Sequence, residues 1–175
     1  MPVRVLFQDE GRFGRISDTR RCWAPLPVRP TVGTQVVRQY VYSFVALCPF
    51  DGRLASLILP WSDTVAMSIF LEHVSKQFPG QFCIVVLDGA GWHHASDLRV
   101  PPDMALVFLP PYSPELNPVE HVWEHLRENE FRNDALASLD EVEDRLMKGI
   151  RKLIDSPELV MSMALFSWIK TLRLM

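Results

Sequence analysis

The stretch NPVEHVWEH, residues 117–125, places Glu120 and Glu124 four positions apart, interleaved with His121 and His125. Two chemistries fit it. His121 and His125 match the pattern H-x-x-E-H, in which two imidazoles on one helix face bind zinc and Glu124 serves as general base. The carboxylates instead fit the last part of a magnesium site. The zinc reading needs a third ligand well downstream, and the acids after His125 lie mostly in charged helical runs. His93 and His94 lack ligand spacing. The zinc reading also leaves Asp9 and Asp88 without a role.

Those two aspartates end similar runs, VLFQDE and IVVLD. A carboxylate after several apolar residues sits at a strand's carboxyl end, where ligands bind in α/β sheets. If the two strands are parallel neighbours, the carboxylates emerge side by side. Like charges that close raise each other's pKa unless a cation offsets them. A hard divalent cation with oxygen ligands is the usual partner. Gly89 and Gly91 leave room for a close approach. Either aspartate alone could simply begin a turn, but both together with a third carboxylate favour a metal site. That third carboxylate is Glu120 or Glu124. A helix first turn favours Glu120 through the dipole in any case.

The elements that must position these groups follow from pattern. Residues 3–10 read as a strand, and 11–38, with three glycines and three prolines, as a long arginine-bearing loop. Residues 39–49 and 53–61 read as a hairpin about the turn FDG. Residues 62–78 change to helical period, with Ser62 or Asp63 as cap and Val65, Ile69, Val74 and Phe78 at helical spacing. FCIVVLD (82–88) and MALVFLP (104–110) are continuous apolar runs, as in strands buried on both faces. Asn117 caps a helix that Pro118 opens. Two more helices follow over 138–154, with Ser138 and Glu141 as a capping box, and over 156–172. The apolar face of the last (Met161, Leu165, Trp168, Leu172) packs inward or against a partner. Three strands on short turns, then a helical crossover, imply a mixed sheet with helices on it.

The totals agree with one such domain over residues 1–175. Apolar residues make up 48% and charged residues 22%, which is ordinary for a globular chain. No apolar run reaches the ~18 residues of a membrane span. The charged start is not a signal peptide. Cys22, Cys48 and Cys83 are odd in number and widely spaced, which reads as reduced thiols in a cytoplasmic protein. A net charge of −3 argues against gripping DNA by global charge. Yet residues 1–38 carry seven arginines against Asp9, Glu10 and Asp18, so this end could face an anion.

LFQDEGRFG, VVLDGAGWHHA and LPPYSPELNPVEHVWEHLR together resemble the catalytic core of the mariner superfamily of DDE transposases, in its bacterial insertion-sequence branch. The resemblance covers roughly residues 3–130. It implies a ribonuclease-H-like α/β fold, a mixed five-stranded sheet flanked by helices. It implies a catalytic and metal-binding triad of Asp9, Asp88 and Glu120, with Glu124, His121 and His125 outside it. It implies Mg²⁺, with Mn²⁺ as substitute, and cleavage and strand transfer on double-stranded DNA by a homodimer. Nucleoid association in the cytoplasm follows from that substrate. Arg12, Arg15, Arg20 and Arg21 become candidates for phosphate contacts. Trp23 is expected to pack rather than stack on a base, and Trp92 sits near the site. There are departures. Gly89 stands where the family commonly has Asn. The 31 residues between Asp88 and Glu120 are slightly few, which suggests a trimmed loop near 96–103. The chain is expected to lack the family's N-terminal helix-turn-helix reader. A relic that binds DNA without cutting it is the second reading.

Overall fold

The computed structural model describes residues 1–17, 19–131 and 133–172. Strand β1 (Val3–Ile16) is the middle of a five-stranded sheet. On one side it pairs antiparallel with β2 (Val36–Leu47), which pairs antiparallel with β3 (Leu54–Leu59). On the other it pairs parallel with β4 (Phe82–Leu87), which pairs parallel with β5 (Met104–Phe108) at the edge. Helix α1 (Thr64–Gln77) carries the chain from β3 across to β4. Helices α2 (Val119–Asn129), α3 (Leu139–Ile154), α4 (Pro157–Ala164) and α5 (Ser167–Thr171) follow the last strand.

Alternation along the strands gives the sheet two apolar faces. Leu6, Phe44, Ala46 and Val85 pack on α1 through Met67, Phe70, Leu71 and Val74. Phe7, Val45 and Leu47 pack on the opposite layer through Val122, Trp123, Leu146 and Ile150. Burial is complete at Phe44 and Phe70, whose rings lie 5.4 Å apart. Each such ring removed from water contributes about 1.5–3 kcal/mol. Arg4, inside the first strand, is accounted for by the turn opposite: its guanidinium donates to Asp51 at 2.6 Å and to Gln81 at 2.7 Å. No helix among the described residues is long and apolar enough to cross a membrane.

Two of the caps fall where the sequence places them, whereas α2 begins at Val119 with Pro118, not Asn117, in the cap position. Asp63 accepts from the Ala66 N–H at 2.8 Å, and Ser138 from the Glu141 N–H at 3.1 Å. Several expectations need correction. The first strand does not stop at residue 10 but runs to Ile16, because β2 keeps pairing with it past Gly14↔Tyr40. Gly11 and Gly14 are not loop residues. A Cβ at Gly11 would lie 2.8 Å from the Trp123 ring, and one at Gly14 would lie 2.3 Å from the Gln39 carbonyl. They are glycines because a ring and a neighbouring strand press on them. The expected α1 face holds only at its end: Val74 and Phe78 are buried, but Val65 and Ile69 are exposed, and Ala66, Met67, Phe70 and Leu71 take the core instead. β5 is an edge strand with Val107 and Phe108 exposed, not one buried on both faces. The last helix is broken at Leu165-Phe166. The break lets Ile169 bury completely and brings Trp168 edge-on to Phe7 at 5.9 Å. Trp23, expected to pack, is fully exposed. All three cysteines are free thiols.

The β2–β3 turn offers a direct check on packing. Gly52 sits at φ +70°, and a Cβ there would lie 2.0 Å from the Pro157 carbonyl oxygen. Gly80 has nearly the same φ, +72°, with open space around it. Gly80→Ala should therefore cost about 1 kcal/mol, the left-handed backbone penalty alone. Gly52→Ala adds overpacking against a rigid backbone and should cost at least about 2 kcal/mol more. Urea unfolding of the two variants measures the difference, and equal costs would contradict the close approach.

Candidate active site

Register decides where the carboxylates emerge. The last parallel pair between β1 and β4 is Phe7↔Val86. Continued by two residues, that register brings Asp9 level with Asp88. Asp9 shares the strand face of Phe7 and Phe13, the face that α2 covers. It is not at the end of its own strand, as the sequence pattern suggests, but two residues past the end of the parallel ladder. The opening left there is a cleft of about 660 Å³, lined by Asp9, Asp88, Glu120, Asn117, His94 and residues 108–114. Tyr112 stands exposed on its lip.

Helix α2 reaches this cleft because its start is tied to β1. The Asn117 side-chain amide donates to the Gln8 carbonyl at 2.9 Å, and its Oδ1 accepts from the Val119 N–H at 3.2 Å. Glu120, one residue further, lines the cleft half-buried. Glu124 is exposed and is not among the lining residues. One helical turn on, the Trp123 indole N–H donates to Asp9 Oδ2 at 2.9 Å. The same ring packs on Phe13, with centroids 5.9 Å apart.

Glu10 leaves the strand on the opposite face from Asp9. Its Oε1 lies 3.0 Å from Nε2 of His93. Nδ1 of His93 lies 3.0 Å from both the Asp88 carbonyl oxygen and Asp88 Oδ1. Both ring nitrogens face oxygen acceptors, so the ring carries both hydrogens and a positive charge.

The three carboxyls are held differently. Burial, above all, pushes the Asp9 carboxyl up to about 7. The Trp123 N–H opposes the rise, and the Glu120 and Glu10 charges add to it. Burial also raises Glu120, with Arg127 opposing and the Glu124 and Asp88 charges adding. Asp88 is held below the usual carboxylate range, first by its hydrogen bond from His93. Burial alone would lower the His93 pKa, but hydrogen bonds to Asp88 and Glu10 outweigh it and raise it to about 10.

Among the described residues, no three His, Cys, Asp or Glu side chains close around one point at metal-ligand spacing. The donor chemistry still fits a hard divalent ion. Three carboxylates line one cleft, and repulsion between them contributes to the raised Asp9 and Glu120 values. The histidines of the H-x-x-E-H match do not line it. His121 bonds the Met163 carbonyl at 3.0 Å and lies edge-on to Phe166, and His125 sits beside Asn129.

A model of the DDE superfamily endonuclease family matches residues 4–143. The chain belongs to that family. A curated relative, the uncharacterized protein y4pE/y4sA of Sinorhizobium fredii, is 40% identical over 130 residues, 74% of this chain and 96% of its own. Among solved structures, the Mos1 strand transfer complex matches with a TM-score of 0.60 at 15% identity. It covers 92% of this chain and 55% of the solved one. The Mos1 mariner paired end complex with Mn matches with a TM-score of 0.61 at 16% identity, over 92% and 56% of the two chains. A further Mos1 paired end complex contains Mg. The chain thus spans just over half the length of these solved relatives. The mixed five-stranded sheet is the ribonuclease-H-like fold that the resemblance implied, and the DDE family it implied is the one matched.

The motifs did not reveal the partners of the carboxylates. Glu10, His93 and Trp123 hold Asp88 and Asp9, yet none has ligand spacing in the sequence. One signal was available: Gln8 and Glu10 flank Asp9 directly after the apolar run Val5–Phe7, so on a two-faced strand they had to point to the face opposite it. Gln8 is indeed fully buried. The arginines scatter. Arg12 lies over the Tyr40 ring at 4.7 Å, Arg15 bonds the Leu136 carbonyl and Gln39, Arg20 lies 3.9 Å from Glu128, and Arg21 is exposed. Trp92 is partly buried against the α1-side core.

The Trp123–Asp9 bond can be measured without any assay of function. A double-mutant cycle of Trp123→Phe and Asp9→Ala, by urea unfolding at pH 8, should give a coupling of roughly 1.5–3 kcal/mol, as for a hydrogen bond to a charged group. Additive effects would mean that the indole does not hold the carboxylate.

Proposed function

We propose that this chain is the catalytic core of a mariner-type transposase of the bacterial insertion-sequence branch. Its reaction is metal-dependent cleavage and strand transfer at phosphodiester bonds of double-stranded DNA. Asp9, Asp88 and Glu120 are the catalytic carboxylates and the metal ligands, with Mg²⁺ as the ion and Mn²⁺ as substitute. The observation that carries this reading is the convergence of three carboxylates, from two parallel strands and a helix first turn, on one cleft. Family membership and the fold of the Mos1 complexes support it.

Divalent ions in this cleft would activate water or a 3′-hydroxyl and stabilise the leaving oxygen of an in-line displacement. The chain supplies the rest. Trp123 holds the Asp9 carboxylate at Oδ2. His93 keeps Asp88 ionised. Asp9 and Glu120, both raised, give up their protons most readily when a cation sits beside them. The lip formed by residues 108–114 borders the path of a DNA strand, and exposed Arg12 and Arg21 offer phosphate contacts. Two element ends must meet for transposition, so the working form is a homodimer acting at the nucleoid.

Nicking of a labelled DNA duplex tests the reading. Wild type should cut only with Mg²⁺ or Mn²⁺, lose cutting on chelation, and regain it when the ion is restored. Asp88→Ala should fall to the metal-free background. Equal cutting by both proteins would assign the activity elsewhere. No cutting by either, together with no Mn²⁺ binding by calorimetry, would favour the non-catalytic relic.

A further inference from the structure

Two acids stand side by side on β1, and only Asp9 faces the cleft. Glu10 goes through to the other face, where its side chain is 7% exposed. A buried carboxylate is costly unless it is paired and hydrogen-bonded. Glu10 is both: it accepts from Gln8 Nε2 at 3.1 Å and from His93 Nε2 at 3.0 Å. The His93 side chain is wholly buried, in the single 3₁₀ turn (Gly91–His93) that follows Asp88. Its other nitrogen grips Asp88 twice, at the carbonyl and at Oδ1. The Ala90 N–H adds a second donor to that same Oδ1 at 3.1 Å. Oδ2 of Asp88 has no hydrogen bond among the described residues.

We propose that Glu10 and His93 are positioning residues that fix the Asp88 carboxylate, engaging Oδ1 from behind so that Oδ2 is presented to the cleft. The inference rests on the reading of Asp88 as a metal-binding carboxylate. Neither Glu10 nor His93 lines the cleft. They act through Asp88. The device is mechanical as well as electrostatic. Asp88 lies beyond the last residue of β4, where no ladder holds the backbone. Through His93, the buried Glu10 of the central strand takes over that task.

Partners of this kind behind a metal ligand are worth roughly 10–100-fold in metal affinity. The test compares wild type, His93→Phe, Glu10→Ala, Glu10→Gln and Gly52→Ala. Each is titrated with Mn²⁺ by calorimetry, and the metal-free carbon-13 signal of the Asp88 carboxyl is recorded. His93→Phe should weaken Mn²⁺ binding by roughly 10–100-fold and move the Asp88 signal. Glu10→Ala should do the same in lesser degree, and Glu10→Gln, which can still accept from His93, should recover most of that loss. Gly52→Ala, destabilised far from the cleft, should bind Mn²⁺ as wild type does. An unchanged Mn²⁺ affinity and Asp88 signal in His93→Phe overturns the proposal. So does a loss in Gly52→Ala as large as that in Glu10→Ala. If wild type and Asp88→Ala handle Mn²⁺ alike, the metal reading of the cleft fails instead. The Asp88 signal then decides alone whether His93 fixes the carboxylate.

Discussion

The arrangement depends on one strand exchanging one neighbour for another part-way along its length. β1 pairs with β4 from Val3 to Phe7 and with β2 from Phe7 to Ile16, so the two ladders meet only at Phe7. A central strand that loses a neighbour part-way leaves a notch in the sheet. The backbone beside the notch stays rigid because the remaining ladder still holds it. Asp9 sits at that notch, so it is open to a ligand yet fixed in place. An aspartate at a free strand end would have the opening without the rigidity.

The notch carries an electrostatic cost. Asp9 is largely desolvated and has Glu10 as its neighbour and Glu120 across the cleft. Alternation along the strand relieves part of this by sending Glu10 through the sheet, where the His93 cation meets it. The same cation meets Asp88. One buried imidazolium thus offsets two carboxylates of the group, while Asp9 has the Trp123 N–H and the Glu10 backbone N–H as counterweights. What remains uncompensated lies between Asp9 and Glu120, both raised, on the open side of the cleft. An unbalanced negative charge that faces solvent is a place for a cation.

Much of this was legible in the sequence. Asp9 and Asp88 stood out because each ends an apolar run in an acid, while local pattern left Glu120 and Glu124 open and only the family resemblance chose Glu120. The mixed character of the sheet followed from turn lengths and one crossover, and its strand order came from the structure. What stayed hidden depends on contacts between distant residues. Gly11 and Gly14 read as loop because glycine lowers strand propensity, and nothing local says that an indole and a neighbouring strand claim their space. The rotation of α1 was misjudged because Val65 and Ile69 fit the helical period as well as Ala66 and Phe70 do. Which stripe is buried depends on how Asp63 starts the helix against the sheet. The break at Leu165-Phe166 has no glycine or proline to mark it. It is imposed by the fit of Trp168 and Ile169 on the core.

The ambiguity of the 117–125 stretch is resolved by helix phase. Glu120 and Glu124 are four apart, which leaves them a small angle apart on one flank. Spacing alone therefore cannot choose between them. Position along the axis does: Asn117 pins the start of α2 to the Gln8 carbonyl, beside Asp9, so the first turn is at the cleft and the second has passed it. Rotation is set by Trp123, three residues after Glu120 and hence on the adjoining face. Its bond to Asp9 and its packing on Phe13 turn the helix so that Glu120 looks into the cleft. The residue that orients one carboxylate directly thus orients another through the helix. His121 is carried round toward α4, where the Met163 carbonyl takes its proton donor. A zinc site on this helix would need that imidazole free, and the rotation that serves Glu120 commits it elsewhere.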